Sequence, residues 1–236
     1  MNGSVWYLVL SGVALVFSTW IASRLIGKDS RSEAGGRFAM VWLAALAGAI
    51  VGAKLAFLFA EGWTKRDDWA ALIGGRSVTG ALLGCYAGVE LAKHWLGVTR
   101  STGDIFAVTV PLSLAIGRIG CVMAGCCQGI ECAASWWTAT DAHGHARWPA
   151  PEVELAFNAL FFAWAVAATR YGWQREQRFH IYLIAYGVFR FAHEFMRDDP
   201  RWFGAFGGYH VVTVGLVALG IWGYVRRRND RTFGHR

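Results

Sequence analysis

The stretch IFAVTVPLSLAIGRIGCVMAG, residues 105–125, holds one charged side chain, Arg118, in 21 residues. A helix needs about 17–25 mainly apolar residues to cross roughly 30 Å of hydrocarbon, and this run fits. Working outward, six more runs qualify, and with this one the set is Val5–Ile26, Phe38–Ala60, Ser77–Leu96, Ile105–Gly125, Pro151–Ala168, Phe179–Phe195 and Tyr209–Val225. The prediction is an all-α polytopic membrane bundle of seven transmembrane helices, one domain over 1–236 with no inserted soluble domain and no internal repeat. Composition agrees, since 55% of the 236 residues are hydrophobic and 17% charged. Soluble domains carry about 25% charged residues, and disordered chains are more polar still. The 13 Trp and 29 Gly suit interfacial anchoring and close helix packing, and four Pro exclude a collagen-like chain. The opening MNGSVWYLVL lacks a basic segment, so the first run is expected to be a retained helix and not a cleaved signal.

The net charge of +7 is spread over short loops between apolar runs, which argues for membrane topology and against nucleic acid. The ends of the first, third and fifth runs (Arg24 and Lys93 included) with the loops after them, and the tail, carry 14 Lys and Arg, whereas the opposite side carries six. By the positive-inside rule the N-terminus lies outside and the C-terminus in the cytoplasm. The outer loops Thr64–Arg76, Gln128–Trp148 and Arg197–Gly208 are Trp-rich, as segments at a membrane–water interface are. Arg226-Arg227-Arg228 reads as a topology anchor. The seventh run has no Lys for a retinal Schiff base.

Three cations interrupt the apolar runs: Lys54, Arg118 and Arg190. A mid-membrane Arg costs at least ~2.5–3.5 kcal/mol on insertion scales, so each needs a partner or a polar cavity. In the sixth run Arg190, His193, Glu194 and Arg197 recur at i, i+3, i+4 and i+7, which predicts one polar stripe facing the bundle interior. That stripe reads either as a structural Arg190–Glu194 pair or as an anion site toward the outer leaflet. His193 is either a base or a packing residue. Small residues flank Arg118 in Gly117-Arg118-Ile119-Gly120-Cys121 and permit close approach by a helix or a substrate. A guanidinium donates two parallel hydrogen bonds to phosphate, so Arg118 and Arg190 from different helices are expected to clamp a phospholipid headgroup. Lys54 either adds a third charge or snorkels.

Cys121, Cys126, Cys127 and Cys132 fall within twelve residues. They read as small packing residues, as a disulfide from Cys132 to Cys126 or Cys127, or as reactive or metal-binding thiols. Vicinal cysteines are poor geometry for two ligands on one ion, so no metal is assigned. Asp141-Ala142-His143-Gly144-His145 reads as a solvated polar loop before it reads as a metal site.

The Gly117-Arg118-Ile119-Gly120 motif with Gly129, and Tyr186-Gly187-Val188-Phe189-Arg190 followed by Glu194-Phe195-Met196-Arg197, resemble motifs of the bacterial prolipoprotein diacylglyceryl transferase family. Gly74–Gly84, Gly52-Ala53-Lys54-Leu55 and Arg147-Trp148-Pro149 with Glu154 are similar to other segments of that family, and the resemblance covers nearly the whole chain. It implies a seven-helix enzyme of the bacterial cytoplasmic (inner) membrane. Such an enzyme moves a diacylglyceryl group from phosphatidylglycerol to a thiol acceptor, the lipobox Cys of a prolipoprotein, and releases glycerol 1-phosphate without a cofactor. Arg118, Arg190, Glu194 and His193 then serve the reaction, and Lys54, Thr79, Gly120, Cys121, Cys126, Gly129, Glu154 and Arg197 line the substrate. The chain departs from the pattern where Thr79 replaces a His, Cys121 an Asn, Cys126 a Glu and Val153 a Tyr. The headgroup anchor survives and the acceptor side is altered. A thiol-redox or metal-handling protein, and a non-catalytic lipid-binding or transport protein, remain alternatives on the same scaffold.

Overall fold

A computed structural model of the protein describes residues 12, 16, 17, 20, 21, 29–98, 101–141 and 143–233. Its elements are α1 (Asp29–Ala60), a 3-10 turn (Gly62–Thr64), α2 (Trp69–Gly74), α3 (Val78–Leu96) and α4 (Gly103–Ala124). A hairpin of β1 (Ala139–Thr140) and β2 (Ala146–Arg147) follows, then α5 (Ala150–Tyr171), α6 (Arg178–Glu194) and α7 (Gly208–Phe233). The second to seventh apolar runs are therefore helices, and the first, Val5–Ile26, lies outside the described residues except at five positions.

The protein is mostly helical. Ala39–Ala60 within α1, Gly103–Ala124, Ala150–Tyr171 and Gly208–Asn229 within α7 are long and apolar enough to cross a membrane, by length and composition. The helices α3 and α6 are shorter, at 19 and 17 residues. Leu43, Ile50 and Leu55 of α1 are each more than 60% exposed. A row of large apolar side chains on an outer face is a liability in water and an asset in hydrocarbon. Three small elements were not expected from the sequence: the 3-10 turn, α2 and the antiparallel hairpin, which pairs Ala139 with Arg147 and Thr140 with Ala146.

The chain divides into two compact units. One contains α4, the hairpin, α5 and residues 196–198; the other contains α1, α2, α3, α6 from His180 onward, and α7. In the first unit α4 packs on α5. Pro111 sits inside α4, where it removes one backbone donor, and Thr109 Oγ1 and Ser113 Oγ bond carbonyls one turn back. The far end of α5 is held by the buried Arg178, which donates to the carbonyls of Ala168 (3.0 Å) and Trp173 (2.8 Å) and pairs with Asp104 (3.0 Å). A cation suits carbonyls that have no further helical turn to bond them. Arg178 therefore does packing work beyond its share of a topology signal.

In the second unit α1 packs against α3 through glycines. A Cβ built on Gly84 would meet the carbonyl oxygen of Gly48 at 2.0 Å, and one on Gly52 would meet that of Gly80 at 2.3 Å. Gly48 and Gly52, facing Gly80, Gly84 and Gly88, form a small-residue seam in which backbones touch. Ser77 starts α3, accepting the Gly80 N–H on its hydroxyl at 3.3 Å.

Candidate functional site

In the first unit Arg118 projects from α4 toward α5. One terminal nitrogen, Nη2, lies 2.8 Å from both carboxylate oxygens of Glu154. Glu154 is fully buried and Arg118 nearly so, at 0% and 11% side-chain exposure. Mid-membrane, this carboxylate is the partner that the cost of an isolated guanidinium demands. The other nitrogen, Nη1, reaches Cys121 Sγ at 3.7 Å. Glu154 thus orients Arg118, and the sequence prediction that it lines the substrate directly gains no support from this contact.

Gly125 ends α4 in the left-handed conformation (φ +62°), which only glycine adopts without penalty. The chain folds back over the last turn, and the Cys126 N–H bonds the Cys121 carbonyl at 3.1 Å. Cys127 also has positive φ (+64°), and its Sγ lies 3.6 Å from Cys126 Sγ. The sulfurs of Cys121, Cys126 and Cys127 all lie within 4.8 Å of one another. Side-chain hydrogen bonds with Cys121 and Cys126, together with the charges of Arg118 and Arg197, draw the Cys127 thiol below its ordinary pKa. Cys132 is a free thiol, as are the other four, so the predicted disulfide alternative is not realised. The reversal at Gly125 brings the sulfurs of the vicinal pair close to that of Cys121, a convergence that the spacing alone did not suggest.

Arg197 departs from the predicted stripe. Helix α6 ends at Glu194, and Arg197 instead forms an antiparallel bridge with Gly129 while its Nη1 reaches the Cys127 carbonyl at 3.4 Å. Gly129 donates to the Trp148 carbonyl at 2.9 Å, and a Cβ there would meet the Met196 carbonyl oxygen at 2.2 Å. Its role is close backbone approach. Gly120 is buried in α4 beside Cys121. In the loop beyond, Asp141 accepts the N–H groups of His143 and His145 (2.9 Å each) and Arg147 Nε at 3.0 Å. These donors, led by the His145 N–H, hold its carboxyl down at about 2. The loop is a self-capped polar turn, as expected.

In the second unit Arg190 and Glu194 pair at 2.5 Å one helical turn apart, and Asp199 adds a carboxylate at 4.0 Å from Arg190. Arg201 donates to the Glu194 carbonyl at 2.8 Å, closing the end of α6. Tyr209 Oη donates to Glu61 at 2.5 Å. His193 is buried and stacks on Phe189 with ring centroids 5.1 Å apart. Thr79 is buried and shares a 2.8 Å hydrogen bond with the Ser77 hydroxyl at the start of α3. Lys54 has partners at the end of α2. Its ammonium donates to the carbonyls of Leu72, Ile73 and Gly75, where α2 ends, and lies over the Phe57 ring.

Sequence reasoning missed Glu61, Asp199, Arg201 and Tyr209. Glu61 had a signal, an acid directly abutting an apolar run. Asp199 and Arg201 read as ordinary loop charges.

The family model described as prolipoprotein diacylglyceryl transferase matches residues 4–226. A phosphatidylglycerol–prolipoprotein diacylglyceryl transferase of Vibrio parahaemolyticus is 27% identical over 94% of this chain and 87% of its own length. A second, from Clostridium perfringens, is 28% identical over 64% of this chain and 63% of its own. One from Clostridium tetani is 28% identical over 82% and 83%.

Proposed function

The chain belongs to the prolipoprotein diacylglyceryl transferase family, and from that premise we propose that it transfers diacylglyceryl from phosphatidylglycerol to the cysteine thiol of a prolipoprotein. In that reaction a sulfur–carbon bond forms and the carbon–oxygen bond to the phosphate breaks. The thiol gives up its proton, and glycerol phosphate leaves with the electron pair. Charge develops on the departing phosphate, in a setting where a fixed cation stabilises it far more than it would in water.

The observation that carries this reading is the Arg118–Glu154 pair, within a segment of the family match. A guanidinium fixed at Nη2 by a buried carboxylate has a set orientation, and its planar fork matches the geometry of a phosphate. We assign Arg118 to the donor's phosphate and Glu154 to its positioning. Arg190, oriented by Glu194 and Asp199, is assigned as a second cation of the reaction. We assign Lys54, Thr79, His193 and Gly129 to the scaffold, a reading their contacts support. The membrane arrangement we favour has seven spans, an outer N-terminus and a cytoplasmic C-terminus in a bacterial inner membrane. It is supported by the 14-to-6 asymmetry of Lys and Arg and by the four helices of spanning length.

The test uses purified protein in vesicles that contain phosphatidylglycerol labelled in its glycerol backbone, with a lipobox peptide as acceptor. Label should move to the peptide, and Arg118→Gln should cut the rate by about 10²–10³, the effect of removing one preorganised charge-stabilising donor. Folded wild-type protein that transfers label neither to the peptide nor to any acceptor in a membrane lysate would overturn the assignment.

A further inference from the structure

We propose that Cys121, Cys126 and Cys127 form a binding site for a soft, thiophilic d10 cation, copper(I) or zinc(II), held by three sulfurs. Nothing in the transfer chemistry calls for such a site, and it stands independently of the transferase reading.

The first argument is distance. Metal–thiolate bonds are about 2.3 Å, so three sulfurs around one trigonal centre sit roughly 4 Å apart. Here all three sulfurs lie within 4.8 Å of one another, with Cys126 and Cys127 at 3.6 Å. Small rotamer changes close that gap. The second argument is how the backbone achieves it. The left-handed Gly125 and Cys127 turn the chain back so that two residues beyond the helix face the sulfur of Cys121 on its last full turn. Cys127 holds a conformation that costs a non-glycine residue energy, and the contact it makes there is sulfur to sulfur.

Charge is the third argument. Three thiolates around a monovalent ion carry two net negative charges, and around a divalent ion one. Arg118 Nη1 stands 3.7 Å from Cys121 Sγ, and Arg197 lies against the Cys127 carbonyl. Cations in those places stabilise thiolates and offset an anionic metal–sulfur centre. Access is the fourth. Cys121 is buried while Cys126 and Cys127 are exposed, so an ion can enter from the open side and settle on a fixed inner ligand. The donor set is all sulfur, which selects copper(I) or zinc over magnesium, calcium or manganese. Cys85 and Cys132 are not among the converging sulfurs.

The experiment uses the full-length protein, purified in detergent under reducing, anaerobic conditions. It is titrated with copper(I), and separately with zinc(II), against a chromophoric chelator. The expected result is one ion per chain. Affinity should fall at least about 100-fold in Cys126→Ala and in Cys127→Ala, since even an outer-shell partner is worth up to that much. It should be unchanged in Cys85→Ser and Cys132→Ser. X-ray absorption of the loaded wild-type protein should show a first shell of sulfur at about 2.3 Å. A three-sulfur shell alone identifies copper(I), and an added oxygen or nitrogen identifies zinc. Cys126 and Cys127 are exposed, so their variants should keep the wild-type thermal midpoint. If they do not, the wild-type absorption spectrum still decides. Absence of stoichiometric binding, a shell dominated by nitrogen or oxygen, or binding that survives replacement of all three cysteines would overturn the proposal.

Discussion

Glu154→Ala would leave the Arg118 guanidinium charged and without its carboxylate, in a place where its side chain is only 11% exposed. Breaking a buried ion pair by removing one partner costs about 3–5 kcal/mol. For a chain of this size each kcal/mol moves the thermal midpoint by about 2–4 °C, so the drop should be on the order of 10 °C. Glu154→Gln keeps the volume and an acceptor oxygen and loses the charge. Its cost lies between about 1 kcal/mol, the loss of charge assistance in the hydrogen bond, and about 3–5 kcal/mol, that of a buried charge left uncompensated. Arg118→Gln leaves the fully buried Glu154 carboxylate as the orphan and should be the worse of the two Gln substitutions. The double variant Arg118→Gln/Glu154→Gln places two neutral amides face to face and removes the orphan charge altogether. It should therefore be more stable than the sum of the single changes by about 0.5–3 kcal/mol, the range for residues in direct contact. Thermal unfolding in detergent measures all four proteins, and the transfer assay is run on the same samples. The double variant should be folded and inactive, which separates the stability of the pair from the use of its cation. Strict additivity in the midpoints would refute the pairing. A double variant that still transfers lipid would refute the role given to Arg118.

Two further perturbations test the frame around the site. Gly84→Ala places a methyl 2.0 Å from the Gly48 carbonyl oxygen, so α1 and α3 must separate by roughly an ångström, and overpacking of that kind costs about 1–3 kcal/mol. Gly215→Ala in α7, where a Cβ meets nothing within 4 Å among the described residues, should be neutral or slightly stabilising through helix propensity; equal midpoints for the two variants would dismiss the seam. Asp141 has its carboxyl held at about 2, below the ordinary value near 4, so the order it gives to the 141–147 turn is complete above about pH 4 and is lost as pH falls through about 2. Hydrogen exchange of His143 and His145, corrected for intrinsic rates, should hold at pH 4 and fail near pH 2. Asp141→Asn should already exchange faster at pH 7, and a wild-type turn that opens near pH 4 would contradict the assignment.

The helices were legible because lipid is an unforgiving solvent: a spanning segment must be apolar throughout, and hydropathy reports that directly. What hydropathy reads is solvent, and a polar turn of helix outside the hydrocarbon leaves no trace in it. This is why α1 extends back to Asp29, nine residues before the predicted Phe38, and why α2 went unseen. The glycine seam was readable in principle, since Gly48 and Gly52, and Gly80, Gly84 and Gly88, recur four apart on what the sequence already marked as helices. Partners were harder than positions. Arg118 and Glu154 were both singled out, yet no local rule joins residues 36 apart, and Tyr209 and Glu61 are separated by 148. Lys54 shows the same limit from the other side, because its answer was the end of a short helix 18 residues away that the sequence did not reveal. The cysteines are the instructive failure. Spacing marked the vicinal thiols as poor geometry for one ion, but Gly125 follows the last apolar residues as a helix stop would, and a stop in the left-handed conformation reverses the chain. Where the resemblance to the family implies a carboxylate, this chain has Cys126, whose sulfur lies within 4.8 Å of that of Cys121, the sulfur Arg118 reaches. The guanidinium already has its carboxylate in Glu154, so the thiols add a softer set of donors beside it. Soft anions choose different cations from hard ones. A change that reads as the loss of a polar acceptor site is thus, in charge and distance, also the gain of a place for a thiophilic metal.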